Sequence, residues 1–340
     1  MNSGMNATSS AGSSQRTHRS HSVSLVVPAY NDEKYLSEML RSALAQTVPF
    51  GQITVVDDGS QHDLTRLIAS DFPASPIYCI RQDNAGLGPA RNTGISLSKC
   101  EYILFCDADD VLSDELLATF SETLESHPEI DLFCFSADVF SDENHPLGNT
   151  SRYHRMADMY FQTGKDALLD MLRRREFISS SCLYIMRRSV LEGRIPLRFQ
   201  AMKHEDEPFT LQALLRSKGT VFTRKTLYHR RMRSGSIMTS APDSTSVEGY
   251  FRAAQAWRAT SIEFEASDSR LIRRHADSLY TRGIERAIKA GLDEPDIRSM
   301  ARRFSPAYFP AMNRDLSLSR ASPRLVAAFY QLTDLCRRLL

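Results

Sequence analysis

Three aspartates, Asp107, Asp109 and Asp110, lie within four residues and directly follow the apolar run 102–106. Carboxylates this close repel one another unless a cation or a donor-rich loop offsets their charge. Mg²⁺ and Mn²⁺ prefer one or two carboxylates together with phosphate oxygens of a substrate. The cluster therefore predicts a divalent metal and a phosphorylated ligand, although an aspartate-rich turn before a helix explains it equally well in isolation.

Two further polar groups follow apolar runs in the same way. Residues 28–31 come after the run 23–27, and residues 57–60 come after the run 53–56. Taken alone, the second group is typical of a turn that leads into a helix. Its meaning depends on the elements that bring the three groups together.

Two common phosphate-binding motifs are missing from the sequence. Gly86 and Gly88 begin a dinucleotide-type pattern, but Arg91 occupies the place of its third glycine. The turn after the first apolar run lacks the glycines of that fold as well. No G-x-x-x-x-G-K-[ST] motif occurs. These observations disfavour a hydride-transfer enzyme and exclude a P-loop phosphotransferase.

Apolar runs alternate with segments of helical period over the first part of the chain. The predicted strands cover residues 23–27, 53–56, 77–80, 102–106 and 130–135, and predicted helices lie near 36–44, 64–69, 89–95 and 116–124. Parallel strands need crossovers, which helices supply, so we expect an α/β fold with a mainly parallel central sheet flanked by helices. Ligands of such sheets bind beyond the carboxyl ends of the strands. The three polar groups should therefore line one crevice.

The composition indicates a folded, water-soluble chain. The 340 residues are 42% hydrophobic and 24% charged, with six scattered cysteines and a net charge of +1. This excludes collagen-like, disulfide-scaffold and wholly disordered classes, and the cysteines are typical of a reducing compartment. Residues 1–21 are polar and predict a disordered leader, and no run reaches the roughly 18 apolar residues of a membrane span. We expect a cytoplasmic protein with no nucleic acid partner.

Taken in order, the polar groups resemble the motifs of the family 2 glycosyltransferases, which have a GT-A nucleotide-binding fold. The likeness runs through residues 23–31, 46–47, 55–60, 84–86, 90–95 and 105–110, and it continues in 204–209 and 228–237. The last of these segments resembles the closing motif of members that build bacterial surface polysaccharides. The resemblance covers residues 22–238.

The resemblance implies a role for individual residues. Tyr30 would stack on the base of a nucleotide-sugar donor, and Asp58 would accept the imide N–H of uridine. Asp107 would face the ribose, Asp109 would ligate Mn²⁺ or Mg²⁺, and Asp206 would be the general base. The other residues that the resemblance places at the donor are Pro28, Asn84, Gly86, Arg91, Arg230 and Arg233, with Asp57, Asp110, Glu205, His229 and Arg231 as supporting candidates.

Several of these assignments have alternatives. Glu205 and Glu207 are rival bases, and the acidic patch around them also favours a helix N-terminus without any catalytic role. The cations at 229–233 follow the last predicted strand and could close over a diphosphate, or they could form a solvated basic loop. Arg91 could contact the donor or pair with an acidic neighbour.

The predicted activity is metal-dependent sugar transfer with inversion, from a nucleotide sugar, UDP-linked by preference, to a hydroxyl of a glycan or lipid-linked acceptor in surface polysaccharide synthesis. One rival is a sugar-phosphate nucleotidyltransferase, which needs a glycine-rich basic loop after the first strand that residues 28–32 do not supply. Another is a non-catalytic nucleotide-binding module of a polysaccharide assembly complex.

We expect a glycosyltransferase domain at 22–240 and a helical C-terminal region at 247–340. Residues 247–340 carry 16 basic and 11 acidic side chains. A helix predicted from Pro323 has an apolar stripe with arginines near its ends. Such a helix could lie on an anionic membrane as a peripheral contact, pack on the other C-terminal helices, or join a second subunit in a homodimer.

Overall fold

The strands in the described part of the chain form one mixed sheet. The computed structural model describes residues 22–141, 150–233 and 243–304. The strands in these ranges are β1 (Val23–Ala29), β2 (Gln52–Asp57), β3 (Ile77–Arg81), β4 (Tyr102–Phe105), β5 (Val111–Leu112), β6 (Ile130–Phe140), β7 (Met159–Phe161), β8 (Tyr184–Arg187) and β9 (Gly219–Arg231). Eight of them lie in the order β3-β2-β1-β4-β8-β6-β9-β5. The ninth, β7, pairs with β9 and is not part of this linear order.

Helices connect these strands and then continue beyond the sheet. They are α1 (Glu33–Leu44), α2 (Leu64–Asp71), α3 (Leu87–Leu97), α4 (Leu116–Ser126), α5 (Gly164–Arg174), α6 (Asp206–Arg216), α7 (Ser244–Thr260), α8 (Ala266–Lys289) and α9 (Glu294–Phe304). The alternation of strand and helix up to α4 is the α/β pattern that the sequence predicts.

The first half of the sheet is parallel, and all three polar groups follow its strands. Strands β3, β2, β1 and β4 pair in parallel, and every residue of β1 is buried. Asp57 is the last residue of β2 and lies beside Ala29, the last residue of β1. The acidic residues 107–110 follow β4, which pairs with β1 on its other side. The carboxyl ends of these strands therefore bring the three polar groups to one edge.

The second half of the sheet is mixed and differs from the prediction at β9. This strand pairs in parallel with β6 and antiparallel with β5, and these pairings extend it to Arg231. The sequence placed His229, Arg230 and Arg231 on a segment after the last strand. That placement is wrong because tertiary pairing with β5 and β6 keeps this polar stretch extended.

Helices α7 and α8 pack against each other and against α5 and α6. Their contact buries Phe251 and Trp257 of α7 and Ile272 and Leu279 of α8 completely. Among the described helices, none has both the length and the hydropathy to cross a membrane. The predicted leader at 1–21 and the helix predicted from Pro323 lie outside the described residues.

Helix α3 lies close to the sheet because Gly94 faces β1. A Cβ atom at Gly94 would lie 2.1 Å from Cγ1 of Val26, which is fully buried. We expect Gly94→Ala to lower the free energy of unfolding by about 1–3 kcal/mol, the usual cost of overpacking a core. Urea unfolding measures this loss. Ser96→Ala, on the exposed face of the same helix, is the control, and equal stabilities for the two variants would contradict the close packing.

Candidate functional site

Asp58 holds the loop that precedes α3. Its carboxylate accepts hydrogen bonds from the backbone N–H groups of Ala85 (3.0 Å) and Gly86 (2.8 Å) and from the Gln82 side-chain amide (2.7 Å). The residue is only 4% exposed. Asp58 therefore shapes the crevice wall by fixing this loop, and its predicted contact with a uracil stays a prediction.

Asp57 and Tyr30 lie at neighbouring strand ends in opposite environments. Asp57 is buried, with one oxygen accepting from Arg81 Nη1 (3.0 Å) and the other from the backbone N–H of Ser60 (2.8 Å). A donor contact for Asp57 is not supported, because its side chain is 0% exposed. Tyr30, by contrast, is 49% exposed at the end of β1, where its ring is accessible for stacking.

Three other predicted donor residues lie close to this wall. Pro28 is buried inside β1 and can contribute only shape. Asn84 is exposed, and Gly86 is the N-cap of α3 with a φ of 93°, in the left-handed region that glycine tolerates. The exposed loop at 84–86 is therefore the part of this wall that a ligand can reach.

Asp110 ties the acidic loop to β9. Its Oδ2 accepts from the Tyr228 hydroxyl (2.5 Å) and its Oδ1 from the backbone N–H of Arg231 (2.7 Å). Burial raises the pKa of Asp110 to about 7. Because both of its oxygens bind β9, Asp110 positions the loop and is a poor candidate for a metal ligand.

Asp109 shares an arginine with a carboxylate that the sequence analysis missed. Arg233 donates from Nε to Asp109 Oδ2 and from Nη2 to Asp32 Oδ1, both at 2.6 Å. The Asp109 and Asp32 side chains are 17% and 13% exposed. Burial raises the pKa of Asp32 to about 6, with Tyr30 N–H and Arg233 opposing the rise. Asp32 is the N-cap of α1, and its contact with Arg233 makes it part of the site.

Arg91 is buried at the centre of the crevice floor. Its Nη1 donates to Glu205 Oε1 (2.7 Å) and Asp206 Oδ1 (3.0 Å), and its Nη2 donates to Asp107 Oδ1 (3.0 Å). The guanidinium is 1% exposed, so the predicted direct contact with a donor is not supported. Of the two alternatives for this residue, the structure shows the pairing with acidic neighbours. Burial acts to raise the pKa of Asp107, but the charge of Arg91 opposes this effect and the pKa lies below its ordinary value.

Glu205 and Asp206 differ in how far they reach the crevice. The Asp206 side chain is 24% exposed, whereas that of Glu205 is 8% exposed. Burial, followed by the charge of Asp206, raises the pKa of Glu205 to about 7. Burial also raises the pKa of Asp206, against the opposing effect of Arg91. Asp206 is therefore the more accessible of the two carboxylates, and its raised pKa makes it a better proton acceptor than an ordinary aspartate.

The cations of β9 divide into two kinds. The Arg231 side chain is 2% exposed and donates to Glu38 (2.6 Å), so it has a structural role. Arg230 is partly exposed and donates to the Tyr153 hydroxyl (3.1 Å), and His229 is partly exposed opposite Val111 of β5. Arg230 and Arg233 are the cations best placed for an anionic ligand.

The donor atoms of the crevice suit a hard divalent ion. Asp109 and Asp32 are partly exposed carboxylates that share one guanidinium, so one negative charge is left over at this point. Within residues 22–141, 150–233 and 243–304, no three His, Cys, Asp or Glu side chains converge on a metal-sized site. The residues present therefore fit an ion that takes Asp109 from the protein and most of its other ligands from a phosphorylated substrate and water.

Comparison with known proteins decides the family. The family model described as glycosyl transferase family 2 matches residues 24–194, which is half of the chain. The chain belongs to glycosyl transferase family 2. The match extends from β1 to β8, so the family prediction made from the motifs is confirmed.

Curated relatives of this glycosyltransferase are similar over about two thirds of its chain. Glycosyltransferase GlyG of Streptococcus pneumoniae is 30% identical over 238 residues, which cover 65% of this chain and 74% of GlyG. Glycosyltransferase GlyA of the same organism is 28% identical over 225 residues, which cover 63% of this chain. The chain spans 31% of the length of GlyA, so it matches only part of that relative.

Solved structures show the same fold. Staphylococcus aureus TarS, residues 1–349 in complex with UDP-GlcNAc, matches with a TM-score of 0.59 at 22% identity, over 78% of this chain and 72% of that one. The UDP complex of the same protein gives 0.58 at 19% identity, over 90% and 82% of the two chains. The predicted GT-A-like α/β fold class of this glycosyltransferase is therefore confirmed.

Proposed function

We propose that this glycosyltransferase moves a sugar from a UDP-linked donor to a hydroxyl of a glycan or lipid-linked acceptor in surface polysaccharide synthesis. The observation that carries the proposal is the set of hydrogen bonds by which Arg91 joins two segments of the crevice. One guanidinium lies within 3.0 Å of both Asp107, on the acidic loop, and Asp206, at the start of α6. A donor bound at the loop would therefore have its sugar beside the carboxylate that can activate an acceptor.

The crevice supports a uridine nucleotide as the donor. Tyr30 offers an exposed ring for stacking, and Asp107 offers a carboxylate whose lowered pKa keeps it ionised for ribose hydroxyls. The crystallised TarS complexes contain UDP-GlcNAc and UDP. On this proposal Arg230 and Arg233 face the diphosphate, for which guanidinium groups are well suited.

We place a Mn²⁺ or Mg²⁺ ion at Asp109. A divalent ion held there supplies charge neutralisation for the departing diphosphate. The chain itself contributes the carboxylate of Asp109, the second carboxylate of Asp32 and the guanidinium of Arg233, which together define the electrostatics of this end of the crevice.

Asp206 would accept the proton of the acceptor hydroxyl as that hydroxyl attacks the anomeric carbon. The C–O bond to the diphosphate breaks as the new glycosidic bond forms, so the single displacement inverts the anomeric centre. Arg91 holds Asp206 in place on the side away from the solvent. Product NMR tests this step directly, because retention of the donor configuration would exclude it.

The family match and the crevice favour sugar transfer over the two rivals. Nucleotidyl transfer would leave Asp206 without a role, and a purely binding module would need neither Asp206 nor Asp109. Release of UDP from a panel of nucleotide sugars, measured with and without Mn²⁺, tests the proposal, and absence of turnover with every donor would support the binding module. We further propose a cytoplasmic location, with residues 323–340 as a peripheral membrane contact or a homodimer contact.

Asp109→Ala is expected to fold normally and to lose nearly all UDP release, because stabilisation of the leaving group by a metal is worth several kcal/mol. EDTA should have the same effect on the unmodified protein. The control is Asp114→Ala, which removes an exposed aspartate two residues after β5. Full turnover in EDTA or in Asp109→Ala would rule out the metal assignment.

A further inference from the structure

Residues 203–204, which precede Asp206, pack against α7. His204 has a φ of 62°, a strained value for a residue other than glycine. Its ring packs 3.8 Å from that of Tyr250, and its Nε2 lies 3.0 Å from the Ser246 hydroxyl. A Cβ atom at Gly249 would lie 2.2 Å from the Lys203 carbonyl oxygen, so the two backbones are in direct contact. Helix α7 thus holds the two residues, Lys203 and His204, that lead into α6.

A second contact joins the same segment to α8. His275 Nε2 lies 3.1 Å from Glu207 Oε2, and the two side chains are 14% and 10% exposed. Because a carboxylate only accepts, the imidazole donates from Nε2. The ring is packed between Trp257 and Phe177, at centroid distances of 4.1 and 4.9 Å. Burial acts to raise the pKa of Glu207, but His275, Arg282 and Ser179 together outweigh it, so the pKa is lowered.

Asp206 and Glu207 are the first two residues of α6, and their side chains bind different parts of the protein. Successive residues of an α-helix point about 100° apart, since each turn takes about 3.6 residues. Asp206 accordingly reaches Arg91 and the crevice, while Glu207 reaches α8. The first turn of α6 is therefore fixed at both carboxylates.

We propose that His275 is a positioning residue for sugar transfer, which acts through Glu207 to hold Asp206 at the acceptor. The proposal rests on the proposed function, in which Asp206 is the base. Without His275, the buried Glu207 carboxylate keeps Ser179 and Arg282 nearby but loses the hydrogen bond that ties it to α8. Protonation or rotation of Glu207 would then shift the first turn of α6. A misplacement of about 1 Å at a reacting group can cost about 100-fold in rate.

The test compares two variants of His275 in the full-length protein. His275→Leu fills the space between Trp257 and Phe177 but cannot donate, so we expect UDP release from the preferred UDP-sugar to fall about 10- to 100-fold in kcat. Donor affinity, measured by titration calorimetry, should stay unchanged because Tyr30 and Asp58 follow β1 and β2, and no described hydrogen bond joins either residue to α6 or α8. His275→Gln keeps an N–H donor and should recover most of the rate.

Two matched variants separate positioning from general stability. Ile284→Val lies in the same helix, is 4% exposed and has no contact with Glu207 among the described contacts, so it should lower Tm without changing kcat. Glu207→Gln combined with His275→Leu should lose less rate than the product of the two single losses, because the uncompensated charge is gone.

The outcomes distinguish this inference from the function on which it rests. Normal kcat in His275→Leu, with an inactive Asp206→Asn, overturns the positioning role alone. Equal loss of kcat in Ile284→Val at the same change in Tm also overturns it, because the effect is then one of stability. Full turnover in Asp206→Asn overturns the proposed base and this inference together.

Discussion

Asp206→Asn is expected to bind the UDP-sugar donor with unchanged affinity and to transfer sugar about 10²- to 10⁴-fold more slowly, the usual contribution of a general base. The asparagine keeps the size of the side chain and an oxygen for Arg91, so only proton acceptance is lost. Donor binding by calorimetry and transfer by UDP release measure the two effects separately.

Glu205→Gln is the matched control for that experiment. Glu205 also accepts a hydrogen bond from Arg91 Nη1, at 2.7 Å. Its side chain is only 8% exposed, so we expect a smaller loss of sugar transfer than in Asp206→Asn. A greater loss in Glu205→Gln than in Asp206→Asn would mean that the wrong carboxylate has been chosen as the base.

Arg91→Leu is expected to lower the free energy of unfolding by about 3–5 kcal/mol, because removing one partner of a buried ion pair leaves uncompensated charge. The leucine would leave Asp107, Glu205 and Asp206 without their shared cation, so sugar transfer should also fail. Urea unfolding measures the stability, and UDP release measures the transfer.

Two other arginine variants test whether stability depends on one guanidinium that binds three carboxylates. Arg91→Lys keeps the charge, but one ammonium group cannot replace a planar guanidinium that serves three carboxylates, so an intermediate stability is expected. Arg66→Leu removes an exposed arginine that pairs with Asp63 in the same chain segment and should leave stability unchanged. Similar stabilities for Arg91→Leu and Arg66→Leu would contradict the structural importance of the cluster.

The parallel half of the fold could be predicted because its signals are local. Buried parallel strands are continuous apolar runs, and β1, β2 and β4 each stand out in the sequence before a polar group. The order of those groups also carried the family resemblance. Position after a strand thus predicted which residues meet at the crevice.

The depth of each side chain in the crevice could not be predicted in this way. Arg91 is fully covered because Glu205 and Asp206, more than a hundred residues later, fold over it. Asp57 is buried by Arg81 of the neighbouring strand. Burial of a polar residue depends on partners distant in sequence, so motifs identify the residues of a site better than they identify which atoms face the ligand.

The polar end of β9 shows the same limit in secondary structure. Residues 226–231 contain few apolar side chains, and a strand at this point depends on pairing with residues 136–140 of β6. In the sequence Tyr228 is only the first residue of the motif at 228–237, yet its hydroxyl donates a hydrogen bond to Asp110. Pairing with distant strands thus overrides local propensity at this point.

The contacts of residues 203–207 with α7 and α8 also bear on how the chain is made. Glu207 and His275 are 68 residues apart, and a ribosome needs roughly 3 to 14 s to add that many at about 5–20 residues per second. The donor wall formed by β1 to β4 can assemble early, but the turn that carries Asp206 gains its last contact only after α8 has been synthesised. On the proposed function, the turn that carries the base therefore gains its last contact only after the strands that line the crevice have all been synthesised.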